Sequence, residues 1–358
     1  MKFNFNKDVS RILDYLSFPS IYFAKNKHEH LEEDMMYEVI KTSYVDFIEK
    51  MKQQLAPYKE EIAAFFPKDL YTNHDYVHIL TSAFPVYDYR DEHTYLEDVL
   101  ATNDTDFKTK MIHALITIED DDTESSDTPG DEPNAMQHIN SLNIDSANKW
   151  NLLMMIQEPK TYLKRFIALL NRVQSLFYSY YKEKESAVEA SGTRLATRFS
   201  EDTIETFKTI TYDSISYDFA SNGACQLYIS AVFPYTLRLS TGDDCRIVWG
   251  LEMEYAFQKT HEIKEDKLTE RVKIFKALGD KTRYSTLRLI ASGVTSIKGI
   301  ANELDVSSAT ISYHVNEFLT SGIVKLNFEK SKKSGYKIDY DKVDEVIKAL
   351  LEDLEVSE

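Results

Sequence analysis

The segment from Asp280 to Tyr340 switches from helical to alternating hydrophobic spacing, and this order of periods constrains the fold more than any other feature. Asp280 can cap a helix from Lys281, with Tyr284, Leu287 and Ile290 inward and Gly293 at its end. Ser296 can cap a second, Ile297 to Leu304, in which Ile297, Ile300, Ala301 and Leu304 keep helical spacing. After Asp305-Val306, Ser307 starts a third, whose apolar face is Ile311, Val315, Phe318 and Leu319 and which Gly322 stops. Two short helices joined by so tight a turn predict a helix-turn-helix. Val324, Leu326 and Phe328 then alternate, as do Tyr336, Ile338 and Tyr340. Lys330-Ser331-Lys332-Lys333-Ser334-Gly335 lies between them, which predicts a hairpin with a basic tip.

At about 100° per residue, the third helix turns Ala309, Tyr313, Asn316 and Thr320 away from its apolar face. Ser308, Thr310, Ser312 and His314 flank them, and Glu317 is the lone charge. A merely solvated face is usually rich in Lys and Glu. Short hydroxyls instead let a helix lie close in a groove and bond phosphates and base edges. From Lys281 to Lys337 there are nine basic and four acidic residues. That local excess is hidden in a chain whose 42 Lys and Arg face 59 Asp and Glu, net −17.

Two motifs carry a family resemblance. Phe275-Lys276-Ala277-Leu278-Gly279-Asp280-Lys281-Thr282-Arg283 is close to L-K-A-L-A-D-P-T-R, with Lys281 where proline is usual. Leu304-Asp305-Val306-Ser307-Ser308-Ala309-Thr310-Ile311-Ser312-Tyr313-His314-Val315 is close to L-x-[VL]-S-x-[PA]-T-V-S-x-H-L. In that order before a basic hairpin, they resemble the ArsR/SmtB family of winged-helix regulators, over roughly the last quarter of the chain. The resemblance implies a homodimeric DNA-binding regulator, often a repressor, acting on an inverted-repeat operator in double-stranded DNA. It implies DNA contacts by Ser307, Ser308, Ala309, Thr310, Ser312, Tyr313, His314 and Asn316, with Lys298, Lys330, Lys332 and Lys333 on the flanking backbone. It also implies a dimer interface on two flanking helices, one with Leu268, Val272 and Phe275, the other with Val346, Ile347, Leu350, Leu351 and Leu354. The family's metal sensors use a Cys-x-Cys pair before the turn, or His and carboxylates on the last helix. Ile297 to Leu304 has no Cys and Asp341 to Leu354 no His, so no metal and no cofactor is expected here.

The rest of the chain is built differently. At a soft ~150 residues per domain, 358 residues hold two or three domains. From Asp266 onward 15 basic residues balance 15 acidic, and all eight prolines lie at or before Pro234. These shifts place a boundary near residue 262, between a 1–262 regulatory or assembly region and a 263–358 DNA-binding and dimerisation domain. Residues 119–134 carry eight carboxylates and no basic or apolar side chain, so a disordered acidic loop is expected. Leu31 to Phe66 reads as helix-rich and Tyr162 to Tyr181 as a long helix. Ile210–Phe219, Cys225–Leu239 and Cys245–Tyr255 read as a small antiparallel sheet, with Asn222-Gly223 and Gly242-Asp243-Asp244 as turns. The fold class expected is α+β: a large helix-rich domain with a small antiparallel sheet, then a C-terminal winged helix-turn-helix.

Other chemistry is sparse. Cys225 and Cys245 are too few for a disulfide framework and fit a reducing interior. The N-terminus lacks an apolar signal core, and the longest uncharged run, 19 residues with 12 apolar, falls short of a membrane span, so a cytoplasmic protein is expected. His74-Asp75-Tyr76-Val77-His78 has Asp where a zinc protease helix needs Glu, and Asn73 is a plausible helix cap. His28-Glu29-His30 with Glu32, Glu33 and Asp34 suits a solvated helix start as well as a cation. Of 44 aromatic residues, 37 precede residue 266. They build either a ring-rich core or walls for an organic ligand. No P-loop, dinucleotide or nucleophile-elbow motif occurs. The reading is therefore a transcriptional regulator with no catalytic residues, whose N-terminal region senses an organic ligand or a protein partner. Its rivals are an enzyme with an appended winged helix, and a winged helix used for protein contacts.

Overall fold

The computed structural model describes residues 1–24, 39–66, 75–117, 132–142, 144–215, 223–240, 245–265, 267–327 and 335–354. It begins with a strand, β1 (Lys2–Phe5), and a helix, α1 (Lys7–Ser17), whose first turn is capped by the Asn6 side chain accepting from the amides of Asp8 and Val9. Then follow α2 (Thr42–Leu55), α3 (Lys59–Phe65), α4 (Tyr76–Ala83), α5 (Glu92–Ala101), α6 (Asp104–Thr117), α7 (Glu132–Ser141), α8 (Ser146–Gln157) and α9 (Pro159–Glu201). Next come α10 (Thr203–Thr211), β2 (Ala224–Ser230), β3 (Leu237–Ser240), β4 (Arg246–Gly250) and α11 (Met253–Glu265). The C-terminal part holds α12 (Lys267–Leu278), α13 (Lys281–Ala291), α14 (Ile297–Leu304), α15 (Ser308–Ser321), β5 (Val324–Asn327), β6 (Gly335–Ile338) and α16 (Tyr340–Asp353). Among the described residues no helix is long and apolar enough to cross a membrane.

The expected antiparallel sheet is instead mostly parallel. Its order is β1-β2-β4-β3, with β1 and β4 both parallel to β2 and only β3 antiparallel to β4. The physical reason lies in β2, where Cys225, Leu227, Tyr228, Ile229 and Ser230 are buried. A strand covered on both faces belongs in the middle of a parallel sheet. At its end Asp14 of α1 accepts from the amides of Ala231 and Val232 and from Ser230 Oγ, which turns the chain away from a simple hairpin. Ile210–Ile215 is not a strand: α10 runs to Thr211 and Ile215 makes a single bridge to Leu326, while the rest of the expected strand, 216–219, lies outside the described residues. The turn at Gly242-Asp243-Asp244 also lies outside them. Cys225 and Cys245 sit one residue before the paired Gln226 and Arg246, with Cα atoms 4.7 Å apart, and form a disulfide, contrary to the reading of two reduced thiols.

The long helix extends beyond both expected ends, to 43 residues, because Val188, Leu195, Ala196 and Phe199 continue its buried stripe. Gly192 is required there: a Cβ would stand 2.3 Å from the Phe5 ring where α9 crosses β1. The acidic segment lies outside the described residues up to Asp131, but Glu132–Asn134 open α7 and so are helical rather than part of a loop. Carboxylate and proline suit a helix's first turn. Residues 25–38, with His28 and His30, also lie outside.

Two hydrophobic cores form, one spanning Phe3 to Met253 and the other Ile274 to Val346. Helix α11 passes unbroken through residue 262. The aromatic residues of the first core pack on one another. Phe65, Tyr76, Tyr162 and Phe166 have ring centroids 4.9–5.4 Å apart, and Phe199 stacks on Phe207 at 4.3 Å. The cavity beside Phe65, Tyr76 and Tyr162 measures about 20 Å³. That holds about one water, so these rings build a core and not a ligand wall.

Candidate nucleic-acid interface

The caps read from the sequence position the two helices of the candidate site. Asp280 accepts from the Arg283 amide, Ser296 from Gly299 and Ser307 from Thr310. Each side chain satisfies an N–H that the first helical turn leaves orphaned. Between α14 and α15 the chain reverses at Asp305, whose φ of 53° is left-handed, and Val306 N–H closes back on Ala301 O at 3.1 Å. Asp tolerates that region better than most residues. Gly322, at φ 79°, ends α15. Ile300, Ala301, Ile311, Val315 and Phe318 then lock the pair into the second core.

Along α15, Ser307 is exposed and Ser308, Ala309, Thr310, Tyr313 and Asn316 are half-buried. Ser307 Oγ and Thr310 Oγ1 are 2.8 Å apart, and Thr320 Oγ1 donates to Asn316 O at 2.6 Å. Ser312 and His314 are instead buried, at 9% and 8% exposure. His314 lies within electrostatic reach of Asp280, the cap of α13, and of Arg283 in its first turn. Burial and the nearby Arg283 guanidinium hold its imidazole below the ordinary value, with Asp280 pulling the other way. Its Nδ1 and Arg283 Nε are buried without a hydrogen-bond partner.

Lys298 is half-buried on α14. Lys330, Lys332 and Lys333 lie outside the described residues, between β5 and β6 in sequence. Gly335 opens β6 where a Cβ would meet Thr295 at 2.5 Å, which sets the hairpin tight against the loop before α14. On the flanking helices and directly after the second, Val272, Ile347, Leu351 and Leu354 are 43–64% exposed, Phe275 and Leu350 are half-buried, and Val346 belongs to the core. Leu268 lies on α12.

Sequence reasoning gave no role to Arg283, which the structure sets 3.6 Å from Glu317. The one carboxylate of the polar face is thereby balanced by a cation. Hydroxyls, an amide and a phenol remain, and such groups are able to donate to phosphate oxygens and to pair with base edges. His78 and Asp75 do not make a metal centre. Asp75, not Asn73, caps α4, and His78 spends Nδ1 on Asp75 and Nε2 on Arg238, while His74 lies outside the described residues. Among the described residues no group of three or more His, Cys, Asp and Glu is placed to hold a metal ion.

No protein-family model matches the chain, and no solved structure does. An uncharacterized HTH-type transcriptional regulator of Methanocaldococcus jannaschii is 39% identical over 84 residues, which is 23% of this chain and 93% of that protein. A nearly whole regulator is therefore matched within a longer chain that holds two capped helices joined by a tight turn, and the chain belongs to the helix-turn-helix transcriptional regulators.

Proposed function

We propose that this protein is a sequence-specific DNA-binding regulator of the ArsR type, a homodimeric repressor whose C-terminal segment is a winged helix. In this reading α15 enters the major groove of an inverted-repeat operator, the β5–β6 hairpin reaches the adjacent backbone, and the region before residue 262 senses an organic ligand or a protein partner. The observation that carries it is the surface of α15, where Ser307, Thr310, Tyr313 and Asn316 stand without a free carboxylate because Glu317 is matched by Arg283. The similarity to the archaeal regulator supports it. Ser312 and His314 serve here as packing residues that fix the helix, not as contacts.

The test uses an operator selected by the full-length protein from random duplexes. Replacing Lys332 and Lys333 by Ala should weaken operator and random DNA alike and flatten the salt dependence, since each phosphate contact adds about 0.9 to the log–log slope. Tyr313→Ala or Asn316→Ala should cost about 1–3 kcal/mol on the operator and change base preference. Equal losses on both DNAs for both kinds of variant would refute the proposed orientation of α15. Chelator and added zinc should leave operator affinity unchanged.

A further inference from the structure

In the first sheet the register sets Tyr228 of β2, Val248 of β4 and Arg238 of β3 in one row, and Gln226 and Arg246 in the row beside it. Rows two residues apart share a face, so both arginines project from the same side of the sheet, roughly 7–8 Å apart at the backbone. The opposite side is apolar: Leu227, Ile247 and Trp249 enter the first core. In a region that carries the entire −17 of the chain, two guanidinium groups on one sheet face need an account.

Arg238 is held in place. Asp75 caps α4 and accepts from the His78 amide at 3.0 Å, and the same carboxylate bonds His78 Nδ1. Arginine has only donors, so in the contact between Arg238 Nη1 and His78 Nε2 it is the guanidinium that donates. One of five donors is thus used to orient the group. Arg246 lies 3.9 Å from the Tyr87 ring centroid, and Tyr87 stacks on Tyr228 at 5.9 Å.

Beside Arg238 a cleft of about 60 Å³ opens between the sheet, α1 and α4, lined by Ser17, His78, Thr81 and Thr236 together with apolar residues such as Leu13 and Phe233. At about 10–15 Å³ per water-sized group it holds about four to six heavy atoms. Asp14 also lines it, but its oxygens already accept from Ser230, Ala231 and Val232. We propose that this cleft binds a small oxyanion, a carboxylate or a phosphate, gripped by the remaining donors of Arg238 and by the hydroxyls of Ser17 and Thr236, since the Thr81 hydroxyl already donates to Val77 O. A guanidinium fork matches such groups in two-point contact, and preorganisation by His78 and Asp75 reduces the entropy lost on binding. The site itself stands without DNA; only its use as an effector site rests on the function proposed above.

The full-length protein, without DNA and at constant ionic strength, is titrated separately with acetate, glycine and inorganic phosphate, and heat release and thermal unfolding are recorded. At least one should bind saturably and shift the His78 imidazole resonances of the native protein. Preference for acetate or glycine identifies a carboxylate ligand, preference for phosphate an inorganic or phosphorylated one. Arg238→Gln should lower the affinity about tenfold or more, with Arg238→Lys intermediate and Lys342→Ala, in the C-terminal part, without effect. Absence of saturable binding of all three, unmoved His78 resonances, or undiminished binding by Arg238→Gln would each overturn the proposal.

Discussion

Asp14 and His314 are single buried groups whose titration runs in opposite directions. Burial pushes the Asp14 carboxyl from the ordinary 3.8 up to about 7, against the bonds from Ser230, Ala231 and Val232 that favour its ionised form. Between those values the folded protein holds a proton that the unfolded chain has lost, so this group's contribution to stability falls as pH rises through about 4–7. Asp14→Asn keeps an acceptor without the charge. Relative to the native protein it should therefore gain in urea midpoint from pH 5 to pH 8; a difference independent of pH would refute the assignment. His314 has the reverse sign. Its lowered value means that the unfolded chain takes the proton first, so its contribution is lost as pH falls through and below about 6.5. His314→Gln should gain on the native protein as the medium is acidified from pH 7.5 to pH 5.5. The sequence motif exposes the limit of helical-wheel reasoning at this position. A residue on the flank of the apolar stripe is buried or not according to what the neighbouring helix brings, and Asp280 and Arg283 are remote in sequence from His314.

At the scale of elements, legibility followed the range of the interactions. The caps Asp280, Ser296 and Ser307 and the stop at Gly322 are local, and each stands where its residue type places it. The first sheet is not local. Lys2–Phe5 is only four residues long and pairs with Ala224–Leu227, more than 200 residues away, so nothing near it announces a parallel edge strand. A second long-range contact joins the two parts of the molecule. Ile215, 5% exposed, bridges Leu326 of β5, so a segment from the first part lies along the edge of the hairpin. The approach is shaped by Tyr212 and Asp213, both left-handed, and by Tyr212 stacked on His261 of α11 at 4.3 Å. Truncating a buried isoleucine typically costs about 2–5 kcal/mol. Ile215→Ala should show a loss in that range and faster amide exchange along β5, measured by hydrogen exchange on the full chain. Unchanged exchange at Val324–Leu326 would mean that the bridge does not hold the hairpin.

Over the whole molecule, charge and apolar surface are distributed in a way that suits the proposed dimer. The acidic excess lies entirely before residue 266, while Lys281–Lys337 is net basic, so under the proposed function the first part would repel DNA and that segment would attract it. Such opposition weakens nonspecific binding and leaves specificity to a correctly placed pair of reading helices. The pair needs an interface, and α12 with α16 offers one. Arg271 Nη1 donates to Ala349 O at 3.5 Å, which ties the two helices side by side. Of the large apolar side chains that remain exposed, Val272, Ile347 and Leu351 lie on these two helices and Leu354 directly follows α16. Ile347, Leu351 and Leu354 are spaced by four and three residues, which puts them on one helical face, and exposed apolar faces mark association sites. Two copies related by a twofold axis would present their α15 helices to successive major grooves, so operator half-sites should be inverted and spaced about 10 base pairs apart or a multiple of that. Leu351→Asp combined with Leu354→Asp removes the apolar contact from an exposed position and should leave the fold intact. Sedimentation should then show a monomer, and the footprint should shrink to one half-site at much lower affinity. A native protein that sediments as a monomer and protects a single unrepeated half-site would refute both the interface and the spacing.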